Sequence, residues 1–145
     1  MKLSTRARYG TRLMIELASR FGKGLVYLKE IARGEDISEK YLSQLVIPLR
    51  NKGLITSYRG ANGGYELSRP PSQITLKEIV EPLEGDLALM DCHSASNHKR
   101  ASDFVAMEIW CRLGGKIAEF LESISLEDLV RMRNETADRG CTYTI

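Results

Sequence analysis

A mainly α-helical chain with one small β-hairpin is predicted by three observations. Two short helical stretches and a capped third lead directly into a β-branched segment punctuated by Asn62, Gly63 and Gly64. A later stretch, Ser102 to Ser123, keeps an apolar face at three- and four-residue spacing along its whole length. Charge is split between the halves: residues 1–72 hold 13 Lys+Arg against 6 Asp+Glu, net +7, and residues 73–145 hold 8 against 13, net −5. A basic half joined to an acidic half suggests that the first half alone meets a polyanion.

The first helix is expected over residues 5–21. Tyr9, Leu13, Leu17 and Phe21 recur every fourth position, with Met14 and Ala18 beside them, and share one face. Gly22 and Gly24 stop it, and Arg6, Arg8 and Arg12 lie off its apolar face. Residues 27–34 read as a short second helix with Leu28, Ile31 and Ala32 inward. Gly34 to Ile37 turn the chain. Ser38 then caps a third helix, where its hydroxyl meets an amide left free in the first turn. Tyr41, Leu42, Leu45, Val46 and Leu49 form the buried stripe of this helix; Pro48 tightens its last turns and Gly53 ends it. Leu54 to Tyr58 is strand-like, Arg59 to Gly64 offers residues that accept positive φ, and Tyr65 to Leu67 returns as a second strand. This order of elements is a winged helix-turn-helix.

Arg69-Pro70-Pro71-Ser72 reads as a linker, dividing a DNA-binding domain, 1–72, from a segment, 73–145, that carries a sensor loop, a dimerisation helix and the tail. Thr75 to Glu78 is a capping box opening a short helix that Pro82 limits. Residues 85–100 are irregular and contain Cys92, His93 and His98. The long helix presents Phe104, Met107, Trp110, Leu113, Ile117, Phe120 and Leu121. So long an apolar face on so small a chain asks for a partner surface. A second copy is the expected partner, because helix-turn-helix proteins read two half-sites through a two-fold axis. Ser125 to Asp128 cap a short last helix, and the tail from Glu135 is polar until its end.

With 43% hydrophobic and 28% charged residues, the composition is that of an ordinary globular protein. No apolar run is long enough to cross a bilayer, and Met1-Lys2-Leu3-Ser4 opens into basic residues rather than an apolar leader, so a cytoplasmic protein is expected. Cys92, Cys111 and Cys141 make no disulfide framework and fit a reducing compartment. Cys111, beside Trp110, is read as a small packed hydrophobe. An enzyme is not expected: Cys92 beside His93 has no third member, no oxyanion group and no phosphate loop to work with.

The candidate DNA contacts follow from position. Ser38, Lys40, Tyr41, Ser43 and Gln44 lie on the first turns of the third helix, where such side chains meet base edges or phosphates. Tyr41 also suits the core, and burial is its favoured role. Lys2, Arg6, Arg8, Arg50 and Lys52 are placed for phosphates, which set register without reading sequence. Arg59, with Gly60, stands at the root of the wing, within reach of a minor groove.

The chain resembles the Rrf-type family of winged helix-turn-helix transcription regulators, which includes iron–sulfur cluster regulators and cysteine-metabolism repressors. The resemblance covers nearly the whole chain. It rests on residues 1–10, Ile37 to Leu45, Leu49 to Leu54, Arg59-Gly60 with Gly63-Gly64-Tyr65, and Ile124 to Val130. It implies a homodimer with crossing long helices, repression as the commoner action, and a signal sensed by the loop containing Cys92. Cluster-binding members carry three regularly spaced cysteines in that loop. The matching positions here are Cys92, His98 and Phe104, which departs from the pattern a 2Fe–2S cluster requires. Three readings of the loop stand open: Cys92, His93 and His98 as cluster or metal ligands; Cys92 as a redox thiol activated by the positive residues nearby; or no ligand at all, with control by a partner protein. For that last reading, the resemblance implies O-acetylserine sulfhydrylase, engaged by the chain end at Tyr143 and Ile145 as captured C-termini are.

Overall fold

The computed structural model describes residues 2–89, 91–92 and 99–140. Its first helix, α1 (Thr5–Ser19), is capped by Ser4, whose hydroxyl accepts the Ala7 N–H at 3.1 Å. Ala7, Leu13, Met14, Leu17 and Ala18 are buried along one side of it. The helix ends two residues earlier than expected, so Phe21 leaves the stripe and is exposed. Then come α2 (Leu28–Glu35) and α3 (Glu39–Asn51), joined at Asp36, which takes the left-handed conformation with φ 53° and ψ 49°. Asp tolerates this region better than most side chains do. Ser38 caps α3 as expected, accepting from the Tyr41 N–H at 3.3 Å, and Pro48 sits inside α3 without ending it.

The wing pairs β1 (Ile55–Tyr58) with β2 (Gly64–Leu67) antiparallel, Ile55 opposite Leu67 and Tyr58 opposite Gly64. Val26 adds an unexpected bridge on the far side of Tyr65, with N–H to carbonyl bonds of 2.8 and 2.9 Å in the two directions. Arg69 to Ser72, read as a linker, instead runs into a fixed 3-10 turn, Pro71–Gln73. The Arg69 guanidinium donates to the Gln73 carbonyl and to Glu78, both at 2.9 Å.

The second half is α4 (Leu76–Glu84), α5 (Ala101–Ser123) and α6 (Leu126–Asp138). Thr75 and Ser125 open α4 and α6 with complete capping boxes, and these two caps bridge one another antiparallel. The Leu76 N–H donates to the Ile124 carbonyl and the Leu126 N–H to the Ile74 carbonyl, each at 2.8 Å. Ile74 and Leu126, fully buried, join Ile79, Val80 and Leu83 in the same core as α1, α2 and α3. The core is therefore continuous across residue 72. α6, expected to be short, runs to Asp138, and Arg133 on it pairs with Glu16 of α1 at 2.8 Å. Glu16 is the one charged residue among the described positions that is buried; Arg20 also approaches it, at 3.8 Å.

Only Met107 of α5 is buried, at the threshold. Phe104, Val105, Ile109, Trp110, Leu113 and Phe120 are between 42% and 63% exposed. Its own chain leaves the apolar face of α5 uncovered.

Candidate nucleic-acid interface

Packing of α3 on α1 sets the reading surface. Leu42, Leu45, Val46 and Leu49 enter the core, which turns Lys40, Ser43 and Gln44 outward. The Ser43 hydroxyl donates to the Glu39 carbonyl at 2.9 Å, so its oxygen remains as an acceptor. Tyr41 is half-buried, and its ring meets the Tyr9 ring edge-on, with centroids 5.8 Å apart. That contact places the first turn of α3 beside the N-terminal half of α1 and makes Tyr41 chiefly a packing residue. The same Tyr9 ring carries the Arg12 guanidinium 5.3 Å from its centroid, while Arg12 Nε donates to Glu35 at 2.7 Å. Arg12 thus locks α1 to the end of α2.

The remaining cations are differently placed. Lys2, Arg6 and Arg8 are exposed at the start of α1, where Arg8 donates to the Thr5 hydroxyl at 3.3 Å. Arg50 and Lys52 are exposed at the far end of α3, and Arg50 reaches Ser57 of β1 at 3.4 Å. Arg59 and Gly60 stand exposed at the turn of the wing. Gly60 has φ +106°, and its carbonyl accepts the Gly63 N–H at 3.0 Å, which closes the turn. At the wing's base the Tyr58 hydroxyl donates to Glu66 at 2.8 Å, and the bond to that carboxylate pushes the phenol pKa up.

Behind α1 the structure shows a contact that the sequence does not announce. Glu84, the last residue of α4, accepts the Ser4 backbone N–H and hydroxyl. The segment after Glu84 leads to Cys92, and Cys92 is disulfide-bonded to Cys111 on α5, with Cα atoms 6.0 Å apart. This corrects the reading of Cys111 as a packed hydrophobe and of the cysteines as unpaired. The chain after α4 runs back along α5, bringing two cysteines 19 positions apart into bonding range. His93, His98, Cys141, Tyr143 and Ile145 lie outside the described residues.

The family described as Rrf2, "Iron-dependent Transcriptional regulator", matches residues 3–132. The chain belongs to the Rrf2 family of transcriptional regulators. It is 43% identical over 129 residues to the transcriptional regulator CymR of Bacillus subtilis, spanning 89% of each chain. The structure described as that of CymR, the global cysteine regulator of B. subtilis, superposes with a TM-score of 0.79 at 42% identity, covering 91% of this chain and 98% of that one. The IscR structure from T. potens gives 0.75 at 35% identity, with 100% and 94% covered.

These relatives are named as transcriptional regulators, not enzymes, and this Rrf2 chain is a DNA-binding transcriptional regulator with a winged helix-turn-helix. Among the described residues no helix is long and apolar enough to cross a membrane. Its residues do not fit a 2Fe–2S cluster. The sulfur of Cys92 is committed to Cys111, Phe104 offers no ligand, and no group of three metal-ligating side chains exists among the described residues.

Proposed function

We propose that the chain acts in the cytoplasm as a homodimeric repressor, reading two symmetric DNA half-sites and responding to thiol redox or cysteine status through the region around Cys92. In this reading residues 1–72 read DNA, and residues 73–145 dimerise and sense. The observation that carries it is the uncovered apolar face of α5, with Phe104, Ile109, Trp110 and Phe120 about half exposed or more. A contiguous apolar face of this kind marks an interaction surface, and a second α5 is its natural cover. Dimerisation would set two copies of α3 at the spacing of adjacent major grooves.

Ser38, Lys40, Ser43 and Gln44 then meet base edges, and Lys2, Arg6, Arg8, Arg50 and Lys52 meet phosphates. Arg59, with Gly60, enters the flanking minor groove, where an Arg is drawn by concentrated negative potential. Thiol sensing is supported by the Cys92–Cys111 bond and by the description of the B. subtilis relative as a global cysteine regulator. The identity to CymR further supports O-acetylserine sulfhydrylase as a partner at Tyr143 and Ile145; calorimetry with and without Ile145 tests it, and no heat of binding removes it.

Sedimentation together with footprinting tests the main reading. A dimer at micromolar concentration and a footprint with two-fold symmetry, its half-sites about one helical turn apart, are expected. A monomer, or an asymmetric footprint, overturns it.

A further inference from the structure

A cavity of about 240 Å³ lies between α4, the segment following it and α5, and the DNA-reading surface does not use it. Both Cys92 and Cys111 line it, so a disulfide forms part of its wall. Trp110 and Leu87 supply apolar surface, and Gly114 leaves the α5 side without side-chain bulk. Its charged groups are Lys77, Glu81 and Asp86. Lys77 already lies 3.8 Å from Glu81 and 3.9 Å from Glu122, so the cavity keeps a net negative edge. A disulfide wall beside uncompensated carboxylates suits a ligand with a thiol at one end and an ammonium at the other.

We propose that this cavity is a binding site for a small aminothiol that exchanges with the Cys92–Cys111 disulfide. The proposal rests on the reading of the Cys92 region as signal-responsive, and gives that region a ligand class and a second reacting cysteine. Cys92 is exposed and Cys111 half-buried, so the incoming thiolate attacks the Cys92 sulfur. The bond from the ligand sulfur to Cys92 forms as the Cys92–Cys111 bond breaks, and Cys111 leaves as a thiolate that takes up a proton. A second aminothiol attacks the ligand sulfur of the mixed disulfide, and Cys92 leaves and is protonated in turn. Two electrons pass from two ligand thiols to the protein, giving the ligand disulfide and a Cys92/Cys111 dithiol. The ligand disulfide reverses the sequence.

The geometry also connects this site to the reading head. Residues 86–89 wall this cavity on one side and, on the other, a second cavity of about 260 Å³ lined by Lys2, Leu3 and Glu84. A tether made or broken at Cys92 acts on the strip of chain that separates the thiol site from Lys2 and from the Glu84 hold on Ser4.

The test uses the full-length oxidised protein with cysteamine and with mercaptoacetate, a thiol of opposite charge. Each rate of disulfide opening is normalised to the rate of the same thiol on an unstructured peptide disulfide. Non-reduced peptide mapping is expected to show Cys92 joined to Cys111. Cysteamine is expected to open it about threefold faster than mercaptoacetate after normalisation, the effect of one solvent-screened ion pair. The preference should vanish in Glu81→Gln/Asp86→Asn. Cys111→Ser treated with cystamine should hold one cysteamine on Cys92. Absence of the Cys92–Cys111 peptide, equal normalised rates, or a preference that survives the double substitution overturns the site. DNA affinity is measured on the same samples: intact, charge-selective exchange with unchanged DNA affinity overturns the signal-responsive reading instead.

Discussion

Glu84 holds Ser4 across 80 positions of sequence: its carboxylate accepts the Ser4 N–H at 3.1 and 3.2 Å and the Ser4 hydroxyl at 2.5 Å. The same hydroxyl accepts the Ala7 N–H, so the cap of α1 is oriented by the end of α4. Glu84→Ala should lower stability by about 1–3 kcal/mol, the range for hydrogen bonds to a charged group. Urea unfolding measures this, and an unchanged midpoint would show that the contact is dispensable. DNA affinity should fall as well, because Lys2 and Arg6 flank the loosened cap.

Arg59→Ala should weaken DNA binding and relax any preference for A/T pairs flanking the half-site. Lys2→Ala should weaken binding to all sequences alike and reduce the slope of log affinity against log salt by about one. Fluorescence titrations at several salt concentrations separate the two. Unchanged affinity and preference in Arg59→Ala would make the wing merely structural.

Gly63 admits no side chain. A Cβ there would stand 2.3 Å from the Tyr58 carbonyl oxygen, which is backbone and cannot swing aside. Gly63→Ala should therefore displace the wing, costing about 1–3 kcal/mol as overpacking does, and should weaken DNA binding along with it. Thermal unfolding and titration are the measurements; a variant as stable and as tight as the parent contradicts the packing described.

Glu16 and Arg133 should behave as a coupled pair. Arg133→Ala leaves a buried carboxylate facing only Arg20 at 3.8 Å and should destabilise the fold. Adding Glu16→Gln removes the stranded charge and should recover part of the loss. A double-mutant cycle reads this directly, and strict additivity would mean that the two do not interact.

Acid should weaken the paired caps of α4 and α6. Burial pushes the Glu78 carboxyl up, but the Thr75 N–H and the Arg69 guanidinium outweigh it and hold it below its ordinary value. The Ser125 N–H and hydroxyl, with Arg131, do the same for Asp128. A depressed native pKa contributes stability that is present above the unfolded pKa and is lost as pH falls through the native one. The melting temperature should thus begin to drop below about pH 4. Glu78→Gln and Asp128→Asn should each flatten that acid limb; a limb unchanged in both would assign the acid sensitivity to other groups.

What the sequence made legible is what short-range chemistry determines. The stripes of α1 and α3 and the caps at Ser38, Thr75 and Ser125 depend on residues within one or two turns, and they stand where periodicity and capping rules put them. The exposed cations of α3 and the wing follow from the same stripes. Features made by distant residues were not legible. The bridge of Val26 to Tyr65, the hold of Glu84 on Ser4 and the bond of Cys92 to Cys111 join positions whose local sequences carry no mark of each other. Pro70 and Pro71 misled for a related reason: they read as a linker, yet Ile74 just beyond them is drawn wholly into the core and fixes them as a turn.

The bridge between Thr75 and Ser125 has a consequence for how such a chain can change over time. Everything from α4 to the end of α5 leaves the core and returns to it at one point, with Ile74 and Leu126 seated on either side. That excursion resembles an insertion module plugged into a two-pin socket. Its loop can be lengthened, its cysteines replaced or its helix face rewritten while the socket stays intact. Lineages could thus exchange the chemical input of the regulator and keep one inherited output, and chimaeras joined at these two residues should fold.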